Sequence, residues 1–322
     1  MYVNAEALLR SLPDIPEVLA KLKSGEYRLW GGVVRHAAGT KKGGQIVGHL
    51  LVPGDSSQAQ ESLQKLQATL EKGLGSLQGG IDHLQQNINV LQGLQVANLA
   101  LSGLNLAVTA AGFVIVCKKL NNISNQIQAQ SHKIAKTLQI VGEIQEQKFF
   151  EAEAQFRSLI LAAGQFCEQG DVEHLKSLIA PFHKEYQFTK LILEKHASIA
   201  NSNVERLGEI ELLQGRLVNL GLMMSHVQIK AGAVKHGREC IQQLSSDLTN
   251  FSTKRIEALC VDRSIASTAP QSRLSEVKSF LQNGKAMLLG LEYQADVIDL
   301  EIRYPGLLER SSESNDILLL AA

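Results

Sequence analysis

Aromatic side chains make up only 5 % of this 322-residue chain, which has one tryptophan and 6 prolines. That scarcity argues against an all-β sandwich, whose strands draw on aromatic and β-branched residues. Leu, Gln, Ala and Ile are abundant instead, and a composition of this kind suits long helices. A surplus of either charge is also missing, because 32 basic residues balance 32 acidic ones. Binding to phosphate backbones rests on a basic excess or stripe, so no nucleic-acid partner is expected. The four cysteines, Cys117, Cys167, Cys240 and Cys260, lie far apart and form no C-x-x-C pair. A disulfide framework and a zinc site are therefore not expected, and a reducing compartment is the plainer setting. Cys117 reads as a small buried hydrophobe, with palmitoylation as the sharper alternative. The first residues, "MYVNAEALLRSLPDIPEVLAKL", lack a basic n-region and an unbroken apolar core. No signal peptide is read there, and a cytoplasmic protein with membrane association is expected.

Catalytic signatures are missing too. The nine histidines form neither H-x-x-x-H nor H-E-x-x-H, so no helical metal pair is expected. "GTKKGG" at 39–44 has glycines and lysines without the order of a phosphate-binding loop, and reads as a hairpin loop. Neither G-x-S-x-G nor a dinucleotide fingerprint occurs. "VEHLKSLIAPFHKEY" gathers Glu173, His174, His183 and Glu185 around Pro181, a pattern read as a solvated helix end. No catalytic residue, cofactor or metal is expected, and the protein is read as a non-enzyme whose function is a physical behaviour.

What is present falls into four regions. Residues 1–55 form a small α+β region. Pro16 can start a short helix through Leu22, and two β-type runs follow, one at Tyr27, Leu29, Val33 and Val34 and one from Ile46 to Leu51. They predict a hairpin with a longer loop, and Gly31-Gly32 suggests a bulge or a close backbone approach. Trp30, beside those glycines, is either a partner anchor or part of a small core under the hairpin. Residues 56–148 read as a long coiled-coil region. Its apolar positions Leu63, Leu66, Leu70, Leu74, Leu77, Ile81, Leu84, Ile88 and Leu91 are spaced by threes and fours, the seam of a coiled coil. Residues 149–304 read as a helical bundle, with Asp171 as a cap, a break near Gly232 to Gly237, a loop at 267–272 and a stop at Pro305-Gly306. Residues 305–322 read as a flexible tail. The predicted fold class is mainly α, an elongated bundle of long coiled-coil-like helices with a small N-terminal β-hairpin region.

Within the second region lies the apolar segment 94–117, the greater part of a run with no Asp, Glu, Lys or Arg from His83 through Cys117. Asn98, Ser102, Asn105 and Thr109 follow one another at helical spacing along one face. Gly103, Ala107 and Ala111 form a row of small residues that permits close helix approach. Leu99, Leu106, Phe113, Val114, Ile115 and Val116 fill much of the remainder. At about 1.5 Å per residue, Val96 to Cys117 reaches roughly the 30 Å of a bilayer's hydrocarbon core. Two asparagines on one face are tolerable in lipid only if they meet another helix or a lumen, because an unpaired amide there costs several kcal/mol. The segment reads as a helix that associates with other helices, either in a membrane or buried in a soluble bundle.

Amphipathic coils at 57–93 and 118–150 flank this segment, and more helices follow. That layout resembles the helical pore-forming toxins of the cytolysin A and haemolysin BL type. In those toxins an apolar segment between two helices stays sheltered until it meets a membrane. The N-terminal hairpin region and the missing export signal depart from the toxins and suit an effector inside the cell, as in bacterial or phage defence. The resemblance implies a membrane-inserting protein with a lipid membrane and further copies of itself as partners. The alternative is a soluble coiled-coil scaffold or adaptor whose N-terminal region binds a protein.

Overall fold

The computed structural model describes residues 9–51, 56–72, 85–89, 143–262, 265, 269–307, 311, 314 and 316–321. These fall into two compact units. One contains the described residues up to 89 together with those from Leu289 onward, and the other contains those from 143 to Leu288. The chain is mainly α-helical with a small antiparallel strand region near its start, as the composition predicts.

The first unit is built on five strands. They are β1 (Leu9–Ser11), β2 (Tyr27–Trp30), β3 (Val33–His36), β4 (Ile46–Leu51) and β5 (Leu318–Ala321), in the spatial order β1-β5-β4-β3-β2. All neighbours are antiparallel. The helix α1 (Pro16–Ser24) opens on a proline and closes on Gly25, whose φ of 79° is the left-handed geometry that favours glycine at a helix end. It buries Val18, Leu19 and Leu22.

Two corrections concern this sheet. The first β-type run is itself a hairpin. Trp30 pairs with Val33 across the turn Gly31-Gly32, and the irregularity in register lies between Val34 and Arg35. Gly32 is nonetheless a close approach, since a Cβ there would lie 1.8 Å from the Tyr293 ring. The second correction concerns the expected flexible tail. Its end forms β5, the strand that joins β1 to β4, with Leu318, Leu319 and Leu320 buried.

The helix α2 (Ser56–Glu71) follows β4. Three leucines of the expected seam, Leu63, Leu66 and Leu70, share one apolar core with Leu29, Val34, Leu50, Ile88, Val297 and Leu319. The remaining described seam position, Ile88, lies in the helical stretch 85–89. The other seam positions fall outside the described residues.

The second unit is helical. It contains α3 (Glu143–Gln169), α4 (Val172–Ser177), α5 (Ile179–Ala197), α6 (Ala200–Glu205), α7 (Leu207–Lys230), α8 (Val234–Val261) and the first part of α9 (Gln271–Arg303). Several breaks follow sequence signals. Asp171 caps α4, its Oδ1 accepting the His174 backbone N–H at 3.1 Å. Gly232, at φ 82°, separates α7 from α8. α9 ends before Pro305, and the Gly306 N–H donates to Glu301 Oε1 at 2.8 Å. α7 is enclosed on nearly all sides, from Leu217 through Gln228. Gly221 sits where a Cβ would come within 2.8 Å of Leu244, so the absent side chain lets α8 approach.

Candidate functional site

The residues expected to insert or pack in a membrane, namely Asn98, Leu99, Ser102, Gly103, Asn105, Leu106, Ala107, Thr109, Ala111, Phe113, Val114, Ile115 and Val116, lie outside the described residues. Their nearest described neighbours, 85–89, are fixed by one amide. The side chain of Asn87 is 1 % exposed. Its Oδ1 accepts the Leu29 N–H at 3.1 Å, and its Nδ2 donates to the Leu22 carbonyl at 3.1 Å. Leu22 lies in the last turn of α1 and Leu29 in β2, an edge strand of the sheet. Asn87 therefore satisfies the Leu29 N–H and adds a second donor to the Leu22 carbonyl, which also accepts the Gly25 N–H, and Ile88 beside it enters the apolar core. The chain is thus clamped to the sheet unit within the uncharged run, a few residues ahead of 94–117.

Trp30 stands at the end of β2 with 63 % of its surface exposed. The alternative in which it packs beneath the hairpin is corrected, because the neighbouring Tyr27 and Leu29 fill that core. Alternation along β2 puts Tyr27 and Leu29 on one face and Trp30 on the other.

The helical unit contains a polar cleft of about 470 Å³ between α5, α7 and α8. Three of its lining residues bond to Asp247, which is 2 % exposed. It accepts hydrogen bonds from Tyr186 Oη at 2.9 Å and Gln243 Nε2 at 3.0 Å, and pairs with Lys190 Nζ at 2.7 Å. Burial, and then the charge of Asp247, hold the Tyr186 proton far above the usual phenol range. Cys240 also lines the cleft, and burial followed by the Glu239 charge pushes its thiol up to about 11. It is a thiol at neutral pH, which is the wrong form for a nucleophile. His183 and His236 line the rim, and His236 Nδ1 lies 2.8 Å from Glu239 Oε2.

The cluster read as a solvated helix end comes apart in the structure. His174 turns to Asp171, at 2.7 Å, and Glu173 to Lys176. Glu185 is buried, with Oε2 accepting from Arg216 Nη2 at 3.0 Å. The Arg216 guanidinium lies 3.8 Å from the centre of the Phe156 ring. Reading Glu185 as solvated is therefore a correction, since the arginine that pairs it inward comes from a different helix.

Among the described residues no group of three His, Cys, Asp or Glu side chains is placed to hold a metal ion. Among the same residues no helix is long and apolar enough to cross a membrane. Comparison with known protein families, with curated proteins and with solved structures found no match.

Proposed function

We propose that this chain is a non-enzymatic, mainly helical protein that associates with lipid membranes and with copies of itself through residues 94–117. In that role it would act as a membrane-disrupting or pore-forming effector of the toxin or defence kind. One observation carries the reading: no charged side chain occurs from His83 through Cys117, while Asn98, Ser102, Asn105 and Thr109 share a face and Gly103, Ala107 and Ala111 share another. A segment so built gains from helix neighbours and tolerates lipid. The Asn87 clamp supports the reading, because it gives the segment a fixed base on a folded unit.

Release of a trapped dye from vesicles tests this with wild type, Gly103→Leu and Val114→Asp. Leucine at 103 blocks close helix approach, and an aspartate at 114 costs about 2.5–3.5 kcal/mol at the centre of a membrane helix. Wild type is expected to release dye and both variants to release several-fold less. Equal release by all three contradicts the reading.

A second reading, a scaffold or adaptor that binds a protein through its N-terminal region, is favoured by one observation, the exposure of Trp30. Tryptophan is enriched among residues that dominate interface energetics. This reading predicts that the chain leaves vesicles untouched and that Trp30→Ala abolishes partner binding without lowering stability.

A further inference from the structure

The helical unit holds a buried arginine whose charge meets no acid among the described residues. Arg255, on α8, is 2 % exposed. Its Nη1 donates to the neutral Oε1 of Gln214, on α7, at 2.9 Å. Its guanidinium lies 5.9 Å from the Phe251 ring centre and 5.0 Å from that of Phe280, on α9. The other two guanidinium nitrogens, Nε and Nη2, have no hydrogen-bond partner. Together they form the side-on edge of the group, the pair of parallel N–H donors that matches both oxygens of a carboxylate or phosphate.

The contrast with the rest of the unit is sharp. The buried Arg216 meets Glu185 and the half-buried Lys190 meets the buried Asp247, so each of these charges has an opposite partner. Around Arg255 the electrostatics run the other way. His196, 5 % exposed, also has a partnerless Nδ1. Its basicity is lowered first by burial and then by the charges of Arg206, Lys195 and Arg255. All three of those charges are positive. Burial pulls the Arg255 guanidinium down to about 10, so it stays protonated at neutral pH. A buried cation without a counter-charge is among the costliest arrangements a core can hold, and buried donors are almost always satisfied.

We propose that Arg255 is the receptor for a small oxyanion, a carboxylate or phosphate group, which docks side-on against Nε and Nη2 between α7, α8 and α9. Gln214 fixes the guanidinium from its far edge, and Phe251 and Phe280 border it. The near-complete burial admits a small molecule entering by local opening and leaves no room for a bilayer surface or a macromolecule. The site is independent of the membrane reading.

The test uses the full chain, titrated separately with inorganic phosphate and with succinate, against sodium chloride at matched ionic strength. Thermal midpoint and the ¹H–¹⁵N signals of the arginine Nε groups are followed. At least one probe is expected to raise the midpoint saturably beyond the chloride control and to shift one slowly exchanging Nε signal. Arg255→Lys, which keeps the charge and loses the fork, is expected to remove that signal and weaken binding tenfold or more. Midpoints and Nε signals that follow chloride alone overturn the proposal, as does equal binding by Arg255→Lys. Should that variant fail to fold, the wild-type Nε titration decides by itself: a saturable shift supports the site and a flat response overturns it.

Discussion

Both units of this protein bury apolar side chains, but among the described residues only the helical unit also buries charged ones. The sheet unit has an apolar core drawn from α1, α2, the strands and the end of α9, with Asn87 as a buried polar clamp. The helical unit buries charge: Glu185 with Arg216, Asp247 with Tyr186, Lys190 and Gln243, and Arg255 with only Gln214 among the described residues. Apolar cores lose stability in proportion to the volume removed. Ionic cores fail abruptly when one partner goes, because the other charge is left behind. The comparison teaches that the helical unit is the more sensitive of the two to single substitutions and to pH.

Removing half of the buried ion pair should have the largest effect. Glu185→Ala removes the carboxylate that faces the buried Arg216 and is expected to cost about 3–5 kcal/mol. Urea unfolding of this variant should show it, and a loss under 1 kcal/mol would mean that Glu185 and Arg216 are not paired in solution. The clamp in the sheet unit comes next. Asn87→Ala leaves the Leu29 N–H without its partner and takes one of two donors from the Leu22 carbonyl, and it is expected to cost about 1–3 kcal/mol. Hydrogen exchange at the Leu29 amide should accelerate in that variant, and unchanged protection would break the assignment.

The smallest effect concerns pH. Burial is the first cause that lowers the basicity of both His196 and His49. A histidine held neutral in the fold and free to charge when unfolded means that the unfolded chain binds more protons. Stability therefore falls as pH drops below about 6.5. Around His196 the neighbouring charges add to the effect, whereas at His49 the carboxylate of Asp296 works against it. His196→Gln should accordingly flatten the acid side of the stability profile more than His49→Gln. The reverse order would contradict the difference drawn between the two units.

The sequence makes local decisions legible. Pro16 and Gly25 frame α1, Asp171 caps α4, Gly232 divides α7 from α8 and Pro305 ends α9, each through backbone preferences that act over a few residues. Pairings across the chain are not legible in this way. "LLLA" at 318–321 reads as the end of a tail until β1 and β4 supply its ladder some 270 to 310 residues away. Glu185, Arg216, Asp247 and Arg255 look like ordinary charges on helix faces, because burial depends on which neighbouring helix covers them. Asn87 looks like one more polar residue in an Asn- and Gln-rich run. Its role depends on two backbone groups more than fifty residues earlier. Trp30 stands out by its rarity, which is a signal that needs no partner to be read.

The central claim concerns the uncharged segment, and flotation of the full chain with vesicles tests it most directly. In a density gradient the wild-type protein should rise with the lipid and resist extraction by high salt, since apolar insertion is not screened. Val114→Asp should stay at the bottom. Wild-type protein that remains below the lipid, or that salt releases completely, would contradict the account.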